Sequence, residues 1–267
     1  MKTMMLGLLA ESAIHAGAGR SAGIIDLPIA REAATDYPFI PGSSAKGALR
    51  DLARRRGFDD EALHRVFGKQ DHAGHVLISD ARLLLLPVRC LTGAYRWVTS
   101  PLLLERYVRD LQRCRITPVA AAVKLPAGKV LGYGTGPLYL EERELALGGP
   151  CPEALIAMVA PLIRHAETRK RLAQQLVIVN DDDLAWFCRY AVPLHARNVL
   201  DDKTKQSNNL WYEESLPPDS VLYALASARD AQAEASARDL PLPCYSRQQQ
   251  AEWRFWHACR RAVKQPK

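Results

Sequence analysis

Several residues in this chain are of types, and at spacings, that can do chemistry. His15 heads a glycine-rich stretch, HAGAGRSAG, over residues 15–23, and a carboxylate follows at Asp26. Such a loop turns tightly and brings backbone N–H groups close to a ligand. By spacing alone Asp26 reads as an Asx-type turn before Leu27 and Pro28, or as an acid that the loop delivers. His15, with a reference pKa near neutrality, can give or take a proton. Glu213 and Glu214 are adjacent in LWYEE, and neighbours on a strand alternate sides, so one faces a cleft and the other solvent or a partner.

A second constellation is basic. In PGSSAKGALRDLARRR the break at Pro41 and Gly42 precedes a helix to about residue 56, which Ser43 or Ser44 can cap. Ser43, Ser44 and Lys46 then form an anion site, because first-turn N–H groups point outward, the helix dipole favours a phosphate and Lys46 adds a point charge. Arg50 and Arg54, one turn apart, extend a phosphate track along the same face. The spacing is not GxxxxGK[ST], which excludes a nucleotide-hydrolysing loop. His72 and His75 have tight metal-like spacing but no arranged Cys or carboxylate, and read as loop residues.

The elements that must position these residues interleave strands and helices without a regular repeat, so the fold class is α+β. Strands are expected over residues 3–14, 76–88 and 174–180, with further short ones in PLYLEERELAL, LWYEES and SVLYALAS. Helices are expected over 59–67 with an aspartate cap, from a Ser100 cap to about 113, over about 152–172, and from an Asp-rich cap to about 190. The polar stretch 193–209 has the composition of an exposed, projecting hairpin.

Lys+Arg number 36 against 29 Asp+Glu, a formal charge of +7, and 48% of the residues are hydrophobic. That composition excludes a disordered chain, a collagen and a disulfide-stapled miniprotein. The positive excess lies in residues 45–56 (net +4) and 244–267 (net +5), on an otherwise near-neutral body. With no long apolar run beside it, the basic stripe points to nucleic acid rather than a membrane. The six cysteines are scattered without metal spacing and read as free thiols, and the N-terminus is a poor signal peptide, so a cytoplasmic protein is expected.

Together, HAGAGRSAGIID, PFIPGSSAKGALRD, SDARLLLLPVRCLTGAYRWVTSP and NNLWYEESLPPDSVLYAL resemble the repeated backbone subunit of the type III-B CRISPR effector, the Cmr complex, in the RAMP superfamily. The resemblance runs in order from about residue 6 to 226. It implies a ferredoxin-like (RRM-related) palm with helical insertions over residues 1–228 and a projecting thumb hairpin at about 195–210. It also implies a helical filament of copies along a guide (crRNA), other Cmr subunits as partners, and cleavage of single-stranded target RNA at regular intervals. One departure stands out: the family ends in a Gly-rich loop and a final strand, whereas no glycine follows Gly149 here, and residues 229–267 read as a helical, basic and aromatic tail.

The resemblance assigns roles to the residues singled out above. Asp26 takes the position used for target cleavage, as ligand of a divalent metal (Mg2+ or Mn2+) or as base toward the RNA 2′-OH. His15 is placed to protonate the leaving oxygen, and Glu213 or Glu214 to hold the metal or orient substrate, with Asp26 and Glu214 as the expected metal ligands. Ser43, Ser44, Lys46, Arg50 and Arg54 are expected on guide phosphates. On the thumb, Val199 and Leu200 are the apolar wedge that displaces a nucleotide, and Lys203 and Lys205 contact backbone. Two alternatives remain open: a binding-only scaffold of the same complex, and a stand-alone, metal-independent guide-processing ribonuclease, which chelator sensitivity would separate from the first reading.

Overall fold

A computed structural model of the chain describes residues 3–21, 23–118 and 123–229. The tail expected over 229–267, with its tryptophans and Cys244 and Cys259, lies outside them apart from Arg229. The chain opens with β1 (Thr3–Leu9) and, after a long excursion, β2 (Phe39–Ile40). There follow α1 (Gly42–Arg55), α2 (Asp60–Phe67), the small hairpin β3 (Gly68–Lys69) and β4 (His72–Ala73), then β5 (Val76–Ile78), β6 (Ala81–Cys90) and β7 (Gly93–Thr99). The second half runs α3 (Pro101–Arg113), β8 (Val130–Gly132), β9 (Pro137–Leu140), β10 (Arg143–Gly149), α4 (Glu153–Val159), a 3₁₀ turn (Ala160–Leu162), α5 (Ala166–Gln175), β11 (Leu176–Ile178) and α6 (Asp181–Tyr190). A separate hairpin, β12 (Leu194–Leu200) and β13 (Ser207–Glu214), precedes β14 (Val221–Ala228).

One sheet organises the molecule. β14 lies between β1 and β6, antiparallel to both, from Thr3↔Ser227 to Leu9↔Val221 on one side and at Val221↔Leu85 on the other. Beyond β6 the order continues β7, β11, β8, β10, β9, and β9 returns to β6 through Cys90↔Leu140, so these strands close a ring. Alternation along β1 sends Met5 into the main core and Leu6 into a smaller one, where it meets Leu63 and Phe67 of α2, Ala53 of α1 and Val76. The sheet therefore carries α1 and α2 on one face and the main core on the other. Among the described residues no helix is long and apolar enough to cross a membrane, and Cys90, Cys114, Cys151 and Cys188 are free and buried.

Local expectations hold where the cause is local. Asp59 caps α2, its Oδ1 accepting the Ala62 N–H at 2.7 Å, and Asn180 caps α6 by accepting from Asp183 at 2.7 Å. Others change for reasons of sequence distance. The strand expected over 76–88 is interrupted at 79–80, where Ser79 exchanges hydrogen bonds with Leu225 and Asp80 turns toward α1. The helix expected over 152–172 breaks at Pro161, which has no N–H to continue it. LWYEES is the returning arm of the β12–β13 hairpin rather than a separate strand, and the first strand stops at Leu9 rather than 14.

Candidate functional site

The excursion after β1 is held by borrowing hydrogen bonds from β13 and the residues that follow it. It leaves through an antiparallel bridge, Ile14 N–H to Leu216 O (3.0 Å) and Leu216 N–H to Ile14 O (2.8 Å). The returning arm lies parallel to the same strand, with Leu27 N–H on Tyr212 O (3.1 Å) and Glu214 N–H on Leu27 O (3.0 Å). Between them the loop is tied across its neck by Ala18 N–H to Pro28 O (3.0 Å) and Ala30 N–H to Ala16 O (2.7 Å).

This arrangement brings His15 and Asp26 to one strand. His15 Nδ1 is 2.7 Å from the Glu214 carbonyl, and Asp26 Oδ2 accepts the Tyr212 N–H at 2.8 Å. Their anchors are two residues apart on β13, about 7 Å along an extended chain. His15 is exposed and Asp26 half-buried. The carbonyl only accepts, so Nδ1 carries hydrogen and the neutral ring keeps its lone pair on Nε2.

The two glutamates do take opposite sides of the strand. Glu214 is 3% exposed; its Oε2 accepts the Ile29 N–H at 3.0 Å and its Oε1 the Arg31 guanidinium at 2.5 Å. Arg31 in turn donates to the carbonyls of Asp36 and Cys188, each at 2.9 Å. With both oxygens engaged, Glu214 fastens the segment after Asp26. Glu213 is half-buried at the hairpin base, its Oε2 3.4 Å from Arg197 Nε. Among the described residues no three His, Cys, Asp or Glu side chains form a group able to hold a metal ion. One or two carboxylates are the usual protein share for Mg2+ that arrives with a phosphate, and Asp26 can supply one.

The β12–β13 hairpin spans more than 195–210, and every residue of β12 is exposed. Val199 and Leu200 are about half exposed, as are Leu194 and Leu210, with Tyr212 somewhat less. Tyr212 and Leu210 pair with Ala196 and Asn198 and share their face, while Val199 pairs with Asn209 on the other. The sequence reading missed Leu210 and Tyr212; counting alternate positions on both arms would have found them. Lys203 and Lys205 sit in the tip turn, which Asp201 ties by accepting from the N–H groups of Lys203 (2.9 Å) and Thr204 (2.7 Å). Those bonds, with the Thr204 hydroxyl, hold the Asp201 carboxyl below its ordinary value.

The anion site at the head of α1 is altered. The helix starts at Gly42 with no side-chain cap from Ser43 or Ser44, and the Gly42 N–H is taken by Asp80 Oδ1 at 2.7 Å. A carboxylate already answers the helix dipole there, and both serines are exposed. Lys46 and Arg50 instead line an open cleft of about 380 Å³ with Lys69, His72 and Arg229. Arg54 is not part of it and lies 3.8 Å from Asp60.

A description of the RAMP superfamily matches residues 8–247 of this chain. The chain belongs to the RAMP superfamily. One relative, the CRISPR system Cmr endoribonuclease Cmr4 of Pyrococcus furiosus, is 29% identical over 248 residues, 84% of this chain and 81% of its own length. The CRISPR system Cms endoribonuclease Csm3 of Streptococcus thermophilus is 34% identical over 89 residues, 27% of this chain and 40% of that one. Among solved structures, oligomeric Cmr4 from Pyrococcus furiosus superposes with a TM-score of 0.72 at 24% identity, over 90% of this chain and 88% of that one. A chain of the type III-B Cmr-beta complex bound to cognate target RNA does so with a TM-score of 0.70 at 18% identity, over 88% and 87%. At these identities the superpositions speak to the fold, a mixed α+β RAMP fold. Within it, the loop of His15 and Asp26 and the hairpin share one strand, β13.

Proposed function

We propose that this RAMP protein is the repeated backbone subunit of a type III-B Cmr ribonucleoprotein, built on a ferredoxin-like palm. It lies in a filament of copies along guide RNA, beside other Cmr subunits, and cleaves the paired single-stranded target. The observation that carries the reading is the joint anchoring of His15 and Asp26 to β13 at the base of an exposed, partly apolar hairpin. The likeness to an endoribonuclease over most of both chains supports it.

The chemistry needs only the RNA's own 2′-OH as nucleophile. Asp26 accepts the hydroxyl proton, the 2′ oxygen attacks the adjacent phosphorus, and the bond from phosphorus to the 5′ oxygen breaks. His15, protonated at Nε2, gives its proton to that leaving oxygen, so the products are a 2′,3′-cyclic phosphate and a 5′-hydroxyl. Apolar side chains of the hairpin, with Leu210 and Tyr212 on one face and Val199 on the other, unstack a nucleotide, at a few kcal/mol per step, so that the attack can come into line. A divalent ion, Mg2+ or Mn2+, held by Asp26 together with RNA oxygens and water, would supply Lewis-acid relief of phosphate charge.

In a reconstituted complex, Asp26→Asn is expected to keep guide and target binding while abolishing the regularly spaced cuts. Cutting at the wild-type rate would sink the assignment. Excess chelator is expected to stop wild-type cutting with target still bound, and full activity in chelator would leave Asp26 and His15 to act without an ion.

A further inference from the structure

Arg31 lies five residues beyond Asp26, and only 16% of its side chain is exposed. Its Nη1 donates to Asp36 O and to Cys188 O, both at 2.9 Å, and its Nη2 to Glu214 Oε1 at 2.5 Å. One guanidinium thus joins its own turn, the end of α6 and the end of β13, which its planar fork of five N–H donors allows. Two of these acceptors stand at the roots of the hairpin. Cys188 is in the last turn of α6, where carbonyls lack intrahelical partners and a cation answers the negative end of the helix dipole. Three residues separate α6 from β12, Glu214 ends β13, and Ser215 N–H on Pro193 O, at 3.1 Å, draws the two roots together. Every residue of β12 beyond that closure is exposed, so the direction of the hairpin is set at its base.

The third acceptor belongs to a turn that closes on itself. Asp36 N–H donates to Glu32 O at 2.8 Å and Glu32 N–H to Tyr37 O at 2.9 Å, with Asp36 at a φ of 60°. Arg189 of α6 grips Asp36 Oδ2 from Nε (3.2 Å) and Nη2 (2.8 Å), and Arg106 of α3 donates to Glu32 Oε2 at 2.7 Å. The turn is therefore fixed to both helices, and Arg31 reaches the hairpin from a firm footing. Neutralising Glu214 needs one bond, yet Nη1 reaches two neutral carbonyls besides, which is the pattern of a brace rather than of a charge pair alone.

We infer that Arg31 is a positioning residue for target cutting, which sets the direction of the hairpin relative to Asp26 so that the nucleotide unstacked by the hairpin presents its phosphate to that carboxylate. The inference rests on the cleavage proposed above and adds a residue that acts through the hairpin rather than on RNA. It places the effect of Arg31 on the rate of cutting and not on the affinity for target.

The test compares Arg31→Lys with wild type in the reconstituted complex, by single-turnover cutting with target affinity measured beside it. Lysine keeps a positive charge next to Glu214, but a point charge on a flexible stem cannot span three acceptors. Cutting is expected to fall about a hundredfold, as for a misplacement of about 1 Å, with target affinity unchanged. A second variant, Arg31→Met with Glu214→Gln, leaves no unpaired buried charge and is expected to cut as slowly as Arg31→Lys. Wild-type cutting by either variant would overturn the inference while leaving Asp26 in its role, whereas no cutting by the wild-type complex would overturn the cleavage reading itself. A further measurement needs no RNA. Spin labels at Lys203→Cys in the hairpin tip and Lys170→Cys on α5, in a full chain carrying Cys244→Ser and Cys259→Ser, report the distance between hairpin and palm, since Cys90, Cys114, Cys151 and Cys188 are buried. Arg31→Lys is expected to broaden that distance distribution, and an unchanged distribution would overturn the brace even if cutting falls.

Discussion

At the scale of single residues, the bond between His15 and the Glu214 carbonyl selects Nε2 as the working nitrogen, and Gly17 keeps space for it. A methyl group on Gly17 would stand 2.7 Å from Nε2, closer than real contacts allow. With Nδ1 bound to the Glu214 carbonyl, the ring makes room by pivoting Nε2 away from its place. Gly17→Ala is therefore expected to slow target cutting about tenfold, a fraction of what a positioned general acid contributes. Single-turnover cleavage in the assembled complex measures it, with target affinity unchanged. If the methyl acts through the ring, adding it to His15→Ala costs nothing more, and an additive loss would point to the loop backbone instead.

At the scale of elements, the loop bearing Asp26 has no regular structure of its own over the described residues 18–21 and 23–25, and β13 lends it order. Glu214 is the fastener, because its two oxygens bind the Ile29 N–H and Arg31 on the arm that returns from Asp26. Glu214→Ala leaves Arg31 as a mostly buried charge without its carboxylate, which costs about 3–5 kcal/mol. Denaturant midpoints of the isolated chain test this; an unchanged midpoint with lost cutting would restore a direct part for Glu214 at the reacting phosphate. The same elements show what the sequence could carry. The Asp59 cap of α2 and the exposed hairpin were legible because their causes lie within a few residues. The cap of α1 was not legible because the group that meets the Gly42 N–H is Asp80, supplied from the far side of α2. Lys69 and Arg229 escaped notice because only the fold brings them to Lys46, and Glu214 looked like a free acid because Arg31 is remote in sequence.

At the scale of the whole molecule, the sheet joins the basic cleft to the excursion loop, since β14 runs from Val221, beside the end of β1, to Ala228, next to Arg229 in the cleft wall. Its stability depends on close backing of β1 by the 3₁₀ turn. A side chain on Gly7 would meet the Leu162 carbonyl oxygen at 2.8 Å and its Cα at 2.9 Å, backbone atoms that cannot rotate aside. Leu162 is itself buried in the main core, so the turn cannot retreat without opening that core. Gly7→Ala is thus expected to destabilise the chain by about 1–3 kcal/mol through overpacking. Gly47, inside α1, has nothing within 4 Å of the same added atom. There the gain in helix propensity acts alone, and Gly47→Ala should stabilise by about 0.5–1 kcal/mol. Urea midpoints of the two variants should move in opposite directions from wild type, and a Gly7→Ala midpoint at or above wild type would mean that the turn does not press on β1.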